Sequence, residues 1–247
     1  MTEVSPPDVI LLRSAEDPDP YVHALADVGF RGVCQPVLDF NFPADEILLD
    51  RLQHPAEYGG VIATSPRAAW ALRRVFDTSG TLHAEWEGMP VYVAGPKTAD
   101  RFRDLGFDVH GADTGSAEEL LSLLTDAEPS SSLLFLAGNR RREVLPDGLQ
   151  DAGISFEEEI VYETHPRADL TLPPSDGETW LVFYSPSGLE ALYASEITNV
   201  SEYLIAAIGP TTAAELHDAG LEVDAVASVP SPEGVVDAVV GAAGSAV

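Results

Sequence analysis

The chain has 247 residues, 45% of them apolar, which is more than one comfortable core and predicts two domains of ordinary size. Charge is the outlier: 41 acidic residues against 13 basic ones give a net charge of −28, and Lys97 is the single lysine. Acid spread over the whole surface disfavours nucleic acid and anionic lipid as partners and fits a protein adapted to a salty cytoplasm.

Cys34 stands alone, so no internal disulfide or thiolate metal cluster is expected. The first eight residues lack the basic start and apolar core of a signal peptide. No apolar run approaches the ~20 residues of a membrane span. The expectation is a soluble, cytoplasmic protein.

In chain order, residues 9–12 read as a buried strand, and a helix from about Tyr21 carries Val22, Leu25, Ala26 and Val28 before stopping at Gly29. Residues 33–40 are extended around Pro36, 43–53 are helical, and Tyr58-Gly59-Gly60 leads into a strand over 61–64. Ser65 before Pro66 is an N-cap followed by a first-turn proline, opening a helix through Leu72 and Phe76. A strand over 91–94 runs into Gly95-Pro96-Lys97-Thr98-Ala99 and a helix. Ser116-Ala117-Glu118-Glu119 resembles a capping box. A strand over 131–137 enters Gly138-Asn139-Arg140-Arg141-Arg142, and the following helix ends at Gly153. After a proline-rich loop over 165–177, a strand over 180–183 meets Tyr184-Ser185-Pro186, a second Ser-Pro helix start. Residues 204–208 precede Gly209-Pro210-Thr211-Thr212-Ala213, and 241–247 read as a frayed end.

Three units therefore occur twice. The two Gly-Pro-x-Thr-Ala units stay in register, Asp104 with Asp218 and Gly106 with Gly220. The first strand-helix unit matches the one after Ser131, Leu25 with Leu149 and Gly29 with Gly153, which sets Tyr162 where the first copy has Leu38. Strand–helix alternation of this kind predicts an α/β protein with parallel sheets covered by helices on both faces.

Ser65, Thr98, Ser185 and Thr212 all sit where a helix start wants a capping oxygen, and Gly95 and Gly209 where a turn wants glycine. The six histidines are scattered, and no Walker loop, dinucleotide fingerprint or nucleophile elbow is present. A second reading rests on arrangement. Helix starts at the carboxyl ends of parallel strands present free N–H groups to an anion, with Arg13, Lys97 and Arg140 to Arg142 nearby. The arginine run reads equally as a solvated helix face.

Taken together, Asp19-Pro20-Tyr21, His54-Pro55-Ala56-Glu57-Tyr58-Gly59-Gly60, Thr64-Ser65-Pro66-Arg67-Ala68, the two Gly-Pro-x-Thr-Ala units, Gly138-Asn139-Arg140-Arg141-Arg142-Glu143, Val161-Tyr162-Glu163-Thr164 and Tyr184-Ser185-Pro186-Ser187-Gly188-Leu189 resemble the uroporphyrinogen-III synthase family, in its animal-like branch. The resemblance implies two flavodoxin-like α/β domains, 1–37 plus 164–247 and 38–163, joined by a two-stranded β ladder with a cleft between them. It implies a monomer that needs no cofactor or metal and cyclises hydroxymethylbilane, with loss of water and inversion of ring D, to uroporphyrinogen III. Tyr162 matches the family's acid, and an ordinary phenol with a pKa near ~10 is a proton donor at neutral pH. Ser65, Thr98, Ser185, Thr212 with its neighbour Thr211, and the Gly138-Asn139 turn match its substrate-facing positions, with Arg13 and Lys97 close by. A non-catalytic two-lobed anion binder or a regulatory relative is the alternative, and Tyr162 together with both threonines speaks for the enzyme.

Overall fold

The computed structural model describes residues 8–43, 45–175 and 177–243. In chain order, β1 (Val9–Leu12), α1 (Pro20–Asp27) and β2 (Gly32–Cys34) are followed by β3 (Leu38–Asn41) and α2 (Asp45–Leu52). Next come β4 (Tyr58–Ala63), α3 (Pro66–Thr78), α4 (Leu82–Trp86), β5 (Pro90–Val93), α5 (Pro96–Arg103), β6 (Asp108–His110) and α6 (Ala117–Ala127). The chain continues through β7 (Ser132–Gly138), α7 (Val144–Asp151) and β8 (Phe156–Pro166) to β9 (Trp180–Phe183) and α8 (Ser187–Ala194). It closes with β10 (Leu204–Ala207), α9 (Pro210–Asp218), β11 (Ala225–Val226) and α10 (Pro232–Ala243).

The chain divides into two compact units, one taking the residues up to Asp39 and again from His165, the other Phe40–Thr164. The first holds a five-stranded sheet in the order β2-β1-β9-β10-β11, the second a six-stranded sheet in the order β3-β8-β7-β4-β5-β6. Apart from β3, the two orders are the same arrangement, with β7 and β8 standing for β1 and β2. Numbered along its own chain, the first unit reads 2-1-3-4-5, the flavodoxin-like order. The pairings β1–β2, β1–β9, β9–β10 and β10–β11 are parallel, as are β4–β5, β4–β7, β5–β6 and β7–β8. The chain leaves the first unit within β3 and returns within β8, and these strands are neighbours in the six-stranded sheet.

Each sheet is apolar on both faces because helices cover both. In the second unit Val61, Val91 and Leu134 face Leu72, Phe76 and Phe102, whereas Ile62, Tyr92 and Phe135 face Leu120, Leu124 and Leu149. In the first, Ile10, Leu181 and Phe183 pack with Leu192 and Leu216, while Val9, Leu11 and Val182 pack with Leu25, Val235 and Val239. The repeat is visible in the backbone: Gly29 and Gly153 follow α1 and α7 at φ 89° and 69°, a left-handed turn that glycine makes without strain.

Several local expectations need correction. The strand over 61–64 starts earlier, at Tyr58, and Gly60 lies inside it, where a β-carbon would stand 2.8 Å from the Pro90 carbonyl oxygen. The arginine run precedes α7, so it is a loop and not a helix face. α4 and α10 are additional to the expected elements; α10 opens on Ser231-Pro232, a start of the Ser65-Pro66 kind, and Ser231 Oγ accepts from Gly234 N at 3.1 Å. Residues 241–243 are helical, not frayed, while 244–247, like the start of the chain read for a leader (1–7), lie outside the described residues. Among the described residues no helix is long and apolar enough to cross a membrane.

Candidate functional site

In a doubly wound sheet the ligand edge is the carboxyl end of the strands, at the point where the winding changes direction. Here that point lies between β1 and β9 in the first unit and between β7 and β4 in the second. Two of the predicted site residues flank the first, Arg13 and Ser185, and three flank the second, Gly138, Asn139 and Ser65. Lys97 with Thr98 and Thr211 with Thr212 follow one strand further out, after β5 and β10, and Tyr162 sits on β8 beside Gly138.

Tyr162 is placed by a β-bulge. Ala137 pairs with Ile160 and Gly138 with Tyr162, so Val161 is the extra residue. The phenol then lies across Gly138, where a β-carbon would overlap the ring and stand 2.6 Å from its oxygen. Asn139 holds the strands together past this point. Its backbone N–H donates to the Tyr162 carbonyl at 3.2 Å, and its side-chain Oδ1 accepts from Thr164 N at 2.8 Å. The Asn139 amide thus extends the β7–β8 ladder, and Gly138 is the seat of the Tyr162 ring.

A recess of about 420 Å³ opens at this edge, lined by Thr64, Ala94, Ser116, Arg140, Arg141, Arg142 and Tyr162. Arg141 is committed to Glu158 and Glu143. Arg140 Nε donates to the Thr164 carbonyl at 3.1 Å, and Arg142 is exposed. A second recess, of about 290 Å³, lies by Asp8, Trp180 and Leu204 at the amino ends of the first unit's strands, away from every predicted site residue.

The remaining candidates separate by burial. Thr98 and Thr212 are 2% and 6% exposed, whereas Lys97 and Thr211, one position earlier in each motif, are exposed. Ser65 caps α3, accepting from Arg67 N at 3.3 Å. Ser185 does not cap α8; its hydroxyl pairs with that of Ser187 at 2.6 Å, and Pro186 holds the cap position in a helical conformation. Gly95 has φ 85° and needs glycine, but Gly209 is extended at φ 177°, a conformation open to any residue. Arg13 grips Asp19 at 3.0 and 3.2 Å and lies over the rings of Tyr21 and Tyr184. Burial raises the Asp19 carboxyl, but N–H bonds from Glu16 and Val22 and the Arg13 charge outweigh it, leaving a net lowering. Arg13 is thus bound up within its own unit.

Sequence reasoning missed three features. Two acids of the run on β8 are paired: Glu157 takes Arg51 and the Tyr58 hydroxyl, and Glu158 takes Arg141. Cys34 reaches Asp19 at 3.5 Å, and burial, the Asp19 charge and this hydrogen bond push its thiol up to about 11. Arg67, on the first turn of α3, lies 3.7 Å from the centre of the Phe40 ring and has no acidic partner among the described residues. The signal for Arg67 was its place two residues after the capping serine; nothing in the sequence shows which arginines lack an acid.

A duplicated, doubly wound α/β chain, with a phenol and polar loops at the carboxyl edge of its sheets, is the class of protein that fold and site define. The family model described as uroporphyrinogen-III synthase HemD matches residues 19–237. Uroporphyrinogen-III synthase of Schizosaccharomyces pombe is 30% identical over 244 residues, covering 94% of this chain and 95% of its own. That of Saccharomyces cerevisiae is 32% identical over 172 residues, 60% of this chain and 62% of its own. Among solved structures, the uroporphyrinogen-III synthetase of Helicobacter pylori superposes with a TM-score of 0.65 at 22% identity, covering 93% of this chain and 96% of that one, which bears on the fold. The chain belongs to the uroporphyrinogen-III synthase family.

Proposed function

We propose that the chain is a uroporphyrinogen-III synthase that closes hydroxymethylbilane with inversion of ring D, and that Tyr162 is its proton donor. The supporting observation is the phenol laid across Gly138 at the carboxyl edge of the second unit's sheet, on the rim of the recess. The phenol gives its proton to the terminal hydroxyl while a pyrrole nitrogen lone pair expels it, so that the C–O bond breaks, water leaves and an azafulvene forms. Ring D attacks this electrophile through its substituted carbon, giving a spiro intermediate. Cleavage of the neighbouring bond and reclosure at the free carbon invert the ring, and the proton lost there restores the phenol. Atoms balance with one water released and no electrons exchanged.

Uncatalysed closure gives the symmetric isomer I, so the protein's main task is to hold the chain ends in the geometry that leads to the spiro intermediate. Ser65, Ser185, Thr98, Thr211, Thr212 and the Gly138-Asn139 turn, with Arg13 and Lys97, are the proposed substrate-facing set; Lys97, Thr211 and Asn139 are its exposed members, and Lys97 and Thr211 are best placed to meet a carboxylate directly. The domains 1–37 plus 164–247 and 38–163 are proposed as the two lobes of a cytoplasmic monomer. Tyr162→Phe tests the assignment. Turnover should fall while uroporphyrinogen III still binds; unchanged turnover would remove Tyr162 from the chemistry.

A further inference from the structure

Among the described residues, two buried side-chain polar atoms lack any hydrogen-bond partner, Arg67 Nε and the Tyr184 hydroxyl. Both lie just beyond the strands that border a change of winding, after β4 and β9. Buried polar groups are nearly always satisfied, so each such exception calls for an explanation.

Arg67 is the more informative of the two because it is a cation. In a chain with 41 acidic residues against 13 basic ones, an arginine without an acid beside it is unexpected. Arg13, Arg51, Arg74, Arg101, Arg103, Arg141 and Arg167 all form ion pairs. Among the described residues Arg67, Arg73 and Arg142 form none; Arg73 and Arg142 are exposed, whereas Arg67 is only partly so and its guanidinium lies on Phe40. The ring face repays part of the desolvation. Burial pulls the Arg67 pKa down, and the nearby Tyr162 acts against this.

We propose that Arg67 is a carboxylate-binding residue that holds one acid side chain of the linear tetrapyrrole beside Tyr162. The proposal rests on the synthase reading for the identity of the ligand, and on the unpaired guanidinium for the site. A planar, always-charged fork held against an aromatic ring is a pre-organised carboxylate receptor, and a partner supplied by the substrate removes the desolvation cost only in the complex. On β8, Glu157 and Glu158 are already paired with Arg51 and Arg141, and among the described residues Arg67 forms no ion pair with Glu159.

The test compares wild type with Arg67→Met and Arg67→Lys in the full chain, measuring steady-state kinetics, uroporphyrin III affinity and the melting temperature. A hydrogen-bonded ion pair to a charged group is worth enough to raise KM and Kd roughly ten- to a hundredfold when it is lost. Arg67→Met should show that rise with kcat changed far less, and Arg67→Lys should fall between it and wild type. The Arg67→Met melting temperature should not drop, because an unpaired desolvated charge gives way to an apolar chain that still packs on Phe40. Unchanged KM and Kd would overturn the proposal, and so would a loss of affinity that only tracks a loss of stability. Product analysis of the wild type separates the two claims. Absence of isomer III would sink the synthase reading, while the affinity comparison would still decide the role of Arg67.

Discussion

Gly138→Ala adds one methyl group at the place where the Tyr162 phenol lies. A β-carbon there would stand 2.6 Å from the phenol oxygen and overlap the ring, so the ring must leave its seat. Tyr162 is partly exposed on β8, so it can swing outward, and the strain should stay within the ~1–3 kcal/mol typical of an over-packed site. The loss of rate should be larger, because a displaced proton donor forfeits the ~10²–10⁴-fold of general acid catalysis. Tyr162→Phe should lose a similar factor with no loss of stability. The two changes act through one group, so the double variant should be no slower than Tyr162→Phe alone. Single-turnover rates of isomer III formation, with urea midpoints for all four proteins, complete the cycle. A wild-type rate in Gly138→Ala, or losses that multiply in the double variant, would refute the reasoning.

Asp19→Asn should cost about 1–3 kcal/mol, because it weakens the charge-assisted bonds to Arg13, which is 16% exposed and keeps Glu16 at 3.4 Å. The folded Asp19 pKa lies below its unfolded value near ~3.9, so this stabilisation is complete above that pH and fades as pH falls through the folded pKa. Acid unfolding of the wild type should therefore converge with that of Asp19→Asn. Ser65→Ala should lower stability by about 0.5–2 kcal/mol, whereas Ser185→Ala, which caps nothing, should cost less; equal urea midpoints would contradict the cap assignment. Cys34, with its thiol pushed up from 9.0 to about 11, should alkylate roughly a hundredfold more slowly than an ordinary thiol at neutral pH, and rapid labelling of native protein would refute that burial.

Much of the fold was legible because parallel strands buried on both faces read as unbroken apolar runs, and residues 9–12 and 180–183 are strands over the very spans expected. The repeats were legible because glycine is needed where α1 and α7 turn left-handed. Equivalent motifs nevertheless diverge in three dimensions. Ser65 and Ser185 share a Ser-Pro start, but only Ser65 reaches a free N–H, since the Ser185 hydroxyl pairs with that of Ser187 instead. Gly95 and Gly209 share a motif and differ in φ. Tyr162 was found through family likeness, and its seat on Gly138 depends on a bulge that no local residue pattern announces. Pairing across strands was out of reach of the sequence altogether, which is why the partners of Glu157 and Glu158, and the want of one at Arg67, passed unnoticed.

The most direct measurement is the isomer composition formed from freshly generated hydroxymethylbilane, resolved by chromatography after oxidation, at low and at molar KCl. Uroporphyrinogen III as the dominant product at one or both salt levels is the predicted result. Isomer I alone at every salt concentration would show that the protein does not steer ring closure and would contradict the account.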